Sequence, residues 1–304
     1  MKKHLPLLII IGLLVLISFG CKYIVVPEDL IAKRAVSTGW DAIITGVTKT
    51  ENNSLHIEIT LRNLTGEWST MQVDPGKAVT LVSAGKSYAC EEVNLGTGGH
   101  RLAPGFQMRG YTTGTLSNPQ LQLNYVECEG ANAEPGAELL IDYEYFNGPL
   151  DYYHQDSNKF TGKFELSLDD IETDLVYPIF EIVEGLALPV DADITAISEN
   201  VVNLMDIKRD ASGFEFTWQN YNPTDFALKT HIGTPPVIGE DGIIYGVFQI
   251  MDLAPTPLTP AKEQIQWTTK VAVPETEQGF YILLSVESGQ MRMYVNHLID
   301  ITQY

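Results

Sequence analysis

Several patterns that would announce a chemistry are missing from this 304-residue chain. Beyond Val26 it has no apolar run long enough to cross a bilayer, so no spanning segment is expected in the body of the protein. It has no C-x-x-C pair, which removes zinc-ribbon and thioredoxin-type sites. Its six histidines (His4, His56, His100, His154, His231, His297) include no H-x-H or H-x-x-x-H pair, so no zinc ligand set is written into the sequence. There is no G-x-S-x-G elbow to anchor a serine hydrolase. Basic residues are scarce: 19 Lys and Arg stand against 39 Asp and Glu, a formal charge of −20. That sign repels phosphate backbones, which argues against nucleic-acid partners, and it disfavours adsorption to anionic headgroups. Amphipathic helical periodicity is also scarce.

What is present starts with Lys2, Lys3 and His4, a basic lead into apolar residues 5–19. A run of about 15 residues suits a signal-peptide core and falls short of the roughly 20 that span a bilayer. Ser18 and Gly20 then precede Cys21. The junction resembles the lipobox of bacterial lipoproteins: Gly20 fits, while Ser18 and Phe19 stand where that family prefers an aliphatic and a small residue. The resemblance implies cleavage before Cys21 and lipid on its thiol. The alternative is an uncleaved signal anchor with Cys21 a bystander. Either way the remaining chain is expected outside the cytoplasmic membrane, in the cell envelope. Without Lys2 and Lys3, 17 basic residues face 39 acidic ones, a charge of −22.

In that compartment Cys90 and Cys128 form an even pair and are expected to be disulfide-bonded. The bridge would close a loop of about 38 residues and stabilise by about 3–4 kcal/mol. The alternative is two separate buried thiols behaving as small hydrophobes.

Short alternating stretches broken by Gly, Pro and Asn (LHIEITLRN, IDYEYF, FEFTWQN, EQIQWTTKVAV, GFYILLSVES) predict half-buried strands and an all-β fold. The chain also repeats itself. IEITLRN at 57–63 aligns with FEFTWQN at 214–220, and LAPGFQMRGYTT from Leu102 aligns with LTPAKEQIQWTT from Leu258. The spacing between the landmarks is 39 residues from Asn63 to Leu102 and 38 from Asn220 to Leu258. An internal duplication follows. The expected organisation is a leader at 1–20, a tether at 21–36, one β-sandwich domain at 37–172 and another at 188–304. Apolar residues 173–187 between them are expected to pack between the domains or to add an edge strand. Asn63 with Thr65, and Asn220 with Asn222, are expected to form the turn where a strand leaves its sheet. Leu-x-Pro opens the next strand, and Tyr111 or Trp267 fills the space between sheets.

The succession WDAIITGV, IEITLRNLT, LAPGF and a strand over 139–146 resembles the telokin-like, immunoglobulin-like domain of bacterial surface lipoproteins. In that family an Asn-rich turn precedes a Pro-Gly that begins a strand on the opposite sheet. The second copy departs from it with Pro260-Ala261. The resemblance implies an immunoglobulin-like fold and a surface location, and it brings no catalytic residue.

Two fragments invite a function and fall short of one. SAGKS ends like a phosphate-binding loop, but Thr80 stands where a glycine is required, so a hairpin is expected. GTGG at 96–99 reads as a loop tip. The segment EYFNGPLDYYHQDSN offers more. Leu139, Ile141, Tyr143 and Tyr145 share one strand face, expected in the core, and Asn147-Gly148-Pro149 then breaks the strand. Asp151, Tyr152, Tyr153 and His154 follow as candidate ligand-binding residues, since aromatic faces beside carboxylates and amides suit sugars or peptides. The competing reading folds those tyrosines back over the sandwich edge. Asp169, Asp170, Asp174, Asp191 and Asp193 flank the inter-domain segment and raise the question of calcium, but none fits a calcium loop. No metal or cofactor is assigned. The expected role is a non-catalytic envelope lipoprotein, held to the membrane by lipid, presenting its domains as a binding or spacing surface to an extracellular protein or glycan. Its rivals are a solute- or glycan-binding lipoprotein using loop 147–158 or the domain junction, and an envelope enzyme with a dispersed site.

Overall fold

The computed structural model describes residues 39–147, 159–172, 187–192, 194–195, 201–228, 230–232, 235–246, 248–251, 259–288 and 293–304. Among these the regular structure is entirely strand, as the alternating sequence predicts. The N-terminal half supplies β1 (Trp40–Lys49), β2 (Ser54–Asn63), β3 (Ser69–Val73), β4 (Thr80–Ser83), β5 (Lys86–Asn94), β6 (Gln107–Met108), β7 (Gly110–Thr115), β8 (Asn118–Leu123), β9 (Tyr125–Glu129), β10 (Glu138–Asn147) and β11 (Lys159–Ser167). The C-terminal half supplies β12 (Ala187–Leu188), β13 (Ile194–Thr195), β14 (Val201–Asp210), β15 (Gly213–Tyr221), β16 (Thr230–Ile232), β17 (Val237–Ile238), β18 (Ile243–Tyr245), β19 (Phe248–Met251), β20 (Gln264–Ala272), β21 (Tyr281–Ser288) and β22 (Met293–Asp300).

These strands make three sheets. A nine-stranded sheet runs β1-β2-β9-β5-β4-β10-β11, with β3 also on β10 and β6 also on β2. A five-stranded sheet runs β13-β14-β15-β20-β19. Between them an eight-stranded sheet runs β12-β22-β21-β17-β18-β7-β8, with β16 on β21, and it draws strands from both halves. The crossing point is a parallel pair: Gly110 and Tyr111 of β7 lie opposite Ile243 and Ile244 of β18.

Alternation places the cores. Leu55, Ile57, Ile59 and Leu61 of β2 and Leu139, Ile141, Tyr143 and Tyr145 of β10 enter one cluster. Each such side chain contributes about 1.5–3 kcal/mol when fully buried. Phe214, Phe216 and Trp218 of β15 anchor a second cluster with Trp267. The eight-stranded sheet serves both. Ile238, Ile244, Tyr281, Leu283 and Leu298 face the first core. Their strand neighbours Val237, Ile243, Tyr245, Ile282, Leu284 and Ile299 face the second. YILL is therefore a run buried on both faces, where a half-buried alternating strand was expected, because no face of that sheet is left to water there. Across the first boundary Phe106 meets Tyr281 edge-on, ring centroids 5.6 Å apart.

The repeated landmarks occupy matching structure, at a register other than the expected one. Asn63 Nδ2 donates to the carbonyls of Glu67 (2.9 Å) and Leu102 (2.8 Å), and its Oδ1 accepts from Thr65 N and Oγ1. Asn222 Nδ2 donates to Phe226 (2.8 Å) and Thr259 (2.9 Å), and its Oδ1 accepts from Thr224 N and Oγ1. Asn222 is thus the counterpart of Asn63, two residues from Asn220. A two-residue slip leaves every strand side chain on its own face, so hydrophobic alternation does not detect it. The strand after each turn is also reached alike: Gly105 and Lys262 both take positive φ, 79° and 59°. The paths then diverge. β20 stays beside β15 for nine residues, whereas β6 leaves β2 after two and continues as β7 in the middle sheet.

Of residues 173–187, those at 173–186 lie outside the described residues. Ala187 with Leu188 forms β12, a short parallel edge strand on β22.

Candidate ligand cleft

Where β7 crosses to the middle sheet, the chain builds a cleft of about 330 Å³ against β3 and the end of β10. Its wall is the glycine loop at 96–99. Thr97 N donates to Met71 O at 2.9 Å, and Met71 N donates to Thr97 Oγ1 at 3.3 Å, so the loop docks on β3 as a substitute strand. Gly96 permits this approach: φ is 147°, and a Cβ would lie 3.0 Å from Met71 O. Gly98 and Gly99 then turn the chain with φ of 59° and 83°, and His100 N donates back to Thr97 O. A Cβ on Gly98 would lie 2.6 Å from the Tyr111 ring, so only glycine lets the backbone cover that ring.

Tyr111 is held from behind by the seam between the halves. His100 packs against its ring at 5.7 Å, and Gly246 N donates to Thr112 Oγ1 at 3.1 Å. Burial lowers the His100 pKa, so the imidazole there stays neutral at neutral pH. Met71, Leu95 and Thr97 form the buried base of the cleft, while Thr70, Gln72, Asn94, Tyr111 and Phe146 remain accessible. Among the described residues that line it none is charged. On the neighbouring β10 and β11 a charged pair is self-neutralised: Lys159 Nζ lies 2.6 Å from Glu144 Oε1, and Gln72 Nε2 donates to Glu144 Oε2 at 3.3 Å.

The candidates named from sequence fare differently. Cys90 and Cys128 face each other across β5 and β9 and are bonded to one another. Cys21 and the loop bearing Asp151, Tyr152, Tyr153 and His154 lie outside the described residues, as do Asp174 and Asp193. That loop joins β10 to β11, whose last pair is Phe146 with Lys159, beside the cleft. Asp169 Oδ2 accepts from Gly136 N, and Asp170 is exposed. Asp191 lines a second cavity of about 450 Å³ with Asp300, whose Oδ1 already accepts from Thr302 N and Oγ1. Among the described residues no three His, Cys, Asp or Glu converge as a metal site. SAGKS is the expected hairpin, with Ala84 and Gly85 at positive φ between paired Ser83 and Lys86. Trp267 is buried between sheets as expected, whereas Tyr111 is half-buried and borders the cleft. The cleft leaves little trace in the sequence because its residues come from four separated segments. GTGG was its only local sign.

A second electrostatic feature lies at the seam. Asp241 accepts from Ile243 N (2.9 Å) and Tyr245 Oη (2.7 Å), yet burial raises its pKa against those bonds and the nearby Arg109. Glu277 is raised by burial and by Asp241 and Glu240, with Arg209 opposing. Comparison with protein-family models and with curated proteins finds no match for this chain.

Proposed function

We propose that the protein is an exported lipoprotein held in the bacterial cell envelope by lipid on Cys21. In this reading its two immunoglobulin-like β-sandwich domains arose by duplication and present a binding surface to an extracellular partner, without catalysis. The observation that carries the reading is the cleft, an open recess on a scaffold buried at its back, with no charge among its described lining residues. Binding sites of this kind combine a preformed shape with a few directed polar groups. The matched turns at Asn63 and Asn222 support the duplication. The basic lead, apolar run and Cys21 support the anchor.

The test is the intact mass of the full-length product recovered from the membrane fraction of a bacterial host. A chain that begins at Cys21 and carries diacylglycerol is expected. A product that keeps Met1 and carries no lipid removes the anchor and, with it, the envelope role.

A further inference from the structure

Resting on that reading, we infer that the cleft between β3, the glycine loop and β7 is a subsite for a short, neutral saccharide. Charge is the first argument. Charged residues make up 19% of the chain, yet none of the described residues that line the cleft is charged. An anionic ligand would meet a protein of charge −20 without a cation among the described lining residues. A cationic ligand would need a carboxylate, and the adjacent Glu144 is already engaged by Lys159 and Gln72.

The second argument is the kind of polar group on offer. A sugar ring has an apolar C–H face edged with hydroxyls, each both donor and acceptor. Phe146 and the part of the Tyr111 ring left uncovered by Gly98 and His100 provide aromatic surface for the first. Gln72 and Asn94, whose amide nitrogens already donate to Glu144 and Leu123, offer their amide oxygens as acceptors, and Thr70 adds a hydroxyl of both senses. Among the described residues nothing accepts a hydrogen bond from Gly98 N or Gly99 N, which adds two backbone donors at the rim.

The third argument separates a saccharide from a peptide. An extended peptide would bind by adding to an open strand edge. At the cleft the edge of β3 is already taken, with Met71 bonded in both directions to Thr97 and Gln72 bridged to Gly96. What remains is side-chain recognition in a volume suited to a short ligand.

The experiment uses full-length, detergent-purified protein on an array of neutral oligosaccharides, acidic oligosaccharides and uncharged peptides, followed by calorimetric titration of the strongest hit. Saturable binding of neutral saccharides is expected. Gln72→Lys, an exposed substitution that puts a charge in the recess, and Tyr111→Ala should each weaken it at least about tenfold, while Asp191→Asn in the other cavity leaves it unchanged. Thermal melts of each variant report folding, and Gln72→Lys keeps the test valid should Tyr111→Ala unfold. Three results overturn the inference: capture of acidic saccharides or peptides alone, saccharide binding indifferent to both variants, or no binding at all. The mass of the same preparation reports the anchor separately, so loss of the saccharide and loss of the envelope reading are distinguishable.

Discussion

Asn63 and Asn222 close the same turn in the two halves, each sending its side-chain amide to a distant carbonyl, Leu102 at 2.8 Å and Thr259 at 2.9 Å. Both asparagines are fully buried, and each also accepts from a threonine two residues on. Removing one strands several buried backbone groups at once. Asn63→Ala and Asn222→Ala should therefore each cost about 2–4 kcal/mol in urea unfolding, with Asn63→Asp failing to rescue because it keeps the acceptor but loses both donors. A loss under 1 kcal/mol at both positions would show that the turn is held by something else.

The bond between Cys90 and Cys128 pins β5 to β9 beside the first core. Its chief effect is to restrict the unfolded chain over a separation of 38 residues. The double substitution Cys90→Ala with Cys128→Ala should lower stability by about 3–4 kcal/mol under oxidising conditions. Reductant should then destabilise the native protein and leave the double variant unaffected.

Strand content was legible in the sequence wherever one face meets water. The alternation of β2, β10 and β15 follows directly from period-two patterning, and the Ala84-Gly85 hairpin from turn chemistry. The shared sheet was not legible. YILL looks the same whether it lies in one core or between two, and the pairing of Tyr111 with Ile244 spans 133 residues without a local mark. Alternation is blind to a two-residue slip, so it does not separate Asn220 from Asn222 as the counterpart of Asn63. The cleft was illegible for the same reason as the seam: Thr70, Asn94, Tyr111 and Phe146 lie far apart in the chain and meet only in the folded structure.

Gly110 tests that seam. It lies between β8 and β18, and a Cβ there would fall 2.4 Å from the backbone oxygen of Gln122. Gly110→Ala must push two strands apart, at about 1–3 kcal/mol. Because the sheet it disturbs is packed on both cores, faster hydrogen exchange is expected in peptides from β2 and from β20 alike. Gly85→Ala, with open space around it but positive φ, should cost about 1 kcal/mol and leave β20 unchanged. Exchange that rises only in the first half would mean that the halves open independently.

The carboxylates at the seam set a pH dependence whose sign is opposite to that of a salt-bridged acid. Asp241 and Glu277 both hold their protons more tightly folded than unfolded, chiefly because burial penalises their charged forms. Their contribution to stability is fully present below the ordinary carboxylate pKa and is lost as pH rises through the raised folded values. Asp210 and Glu215 are shifted the other way, but by exposed partners that solvent screens. His100 and His297, lowered by burial, add stability as pH rises toward the free-imidazole value and so oppose the carboxylates in wild-type curves. The comparison that isolates the seam is wild type against Asp241→Asn. The amide keeps an acceptor for Ile243 N and a neutral neighbour for Tyr245 and Glu277. Relative to wild type the variant should gain stability steadily as pH rises above 4 and then level off, read from urea midpoints across pH 4–8. A difference between the two proteins that stays constant over that range would mean that Asp241 titrates no differently folded than free.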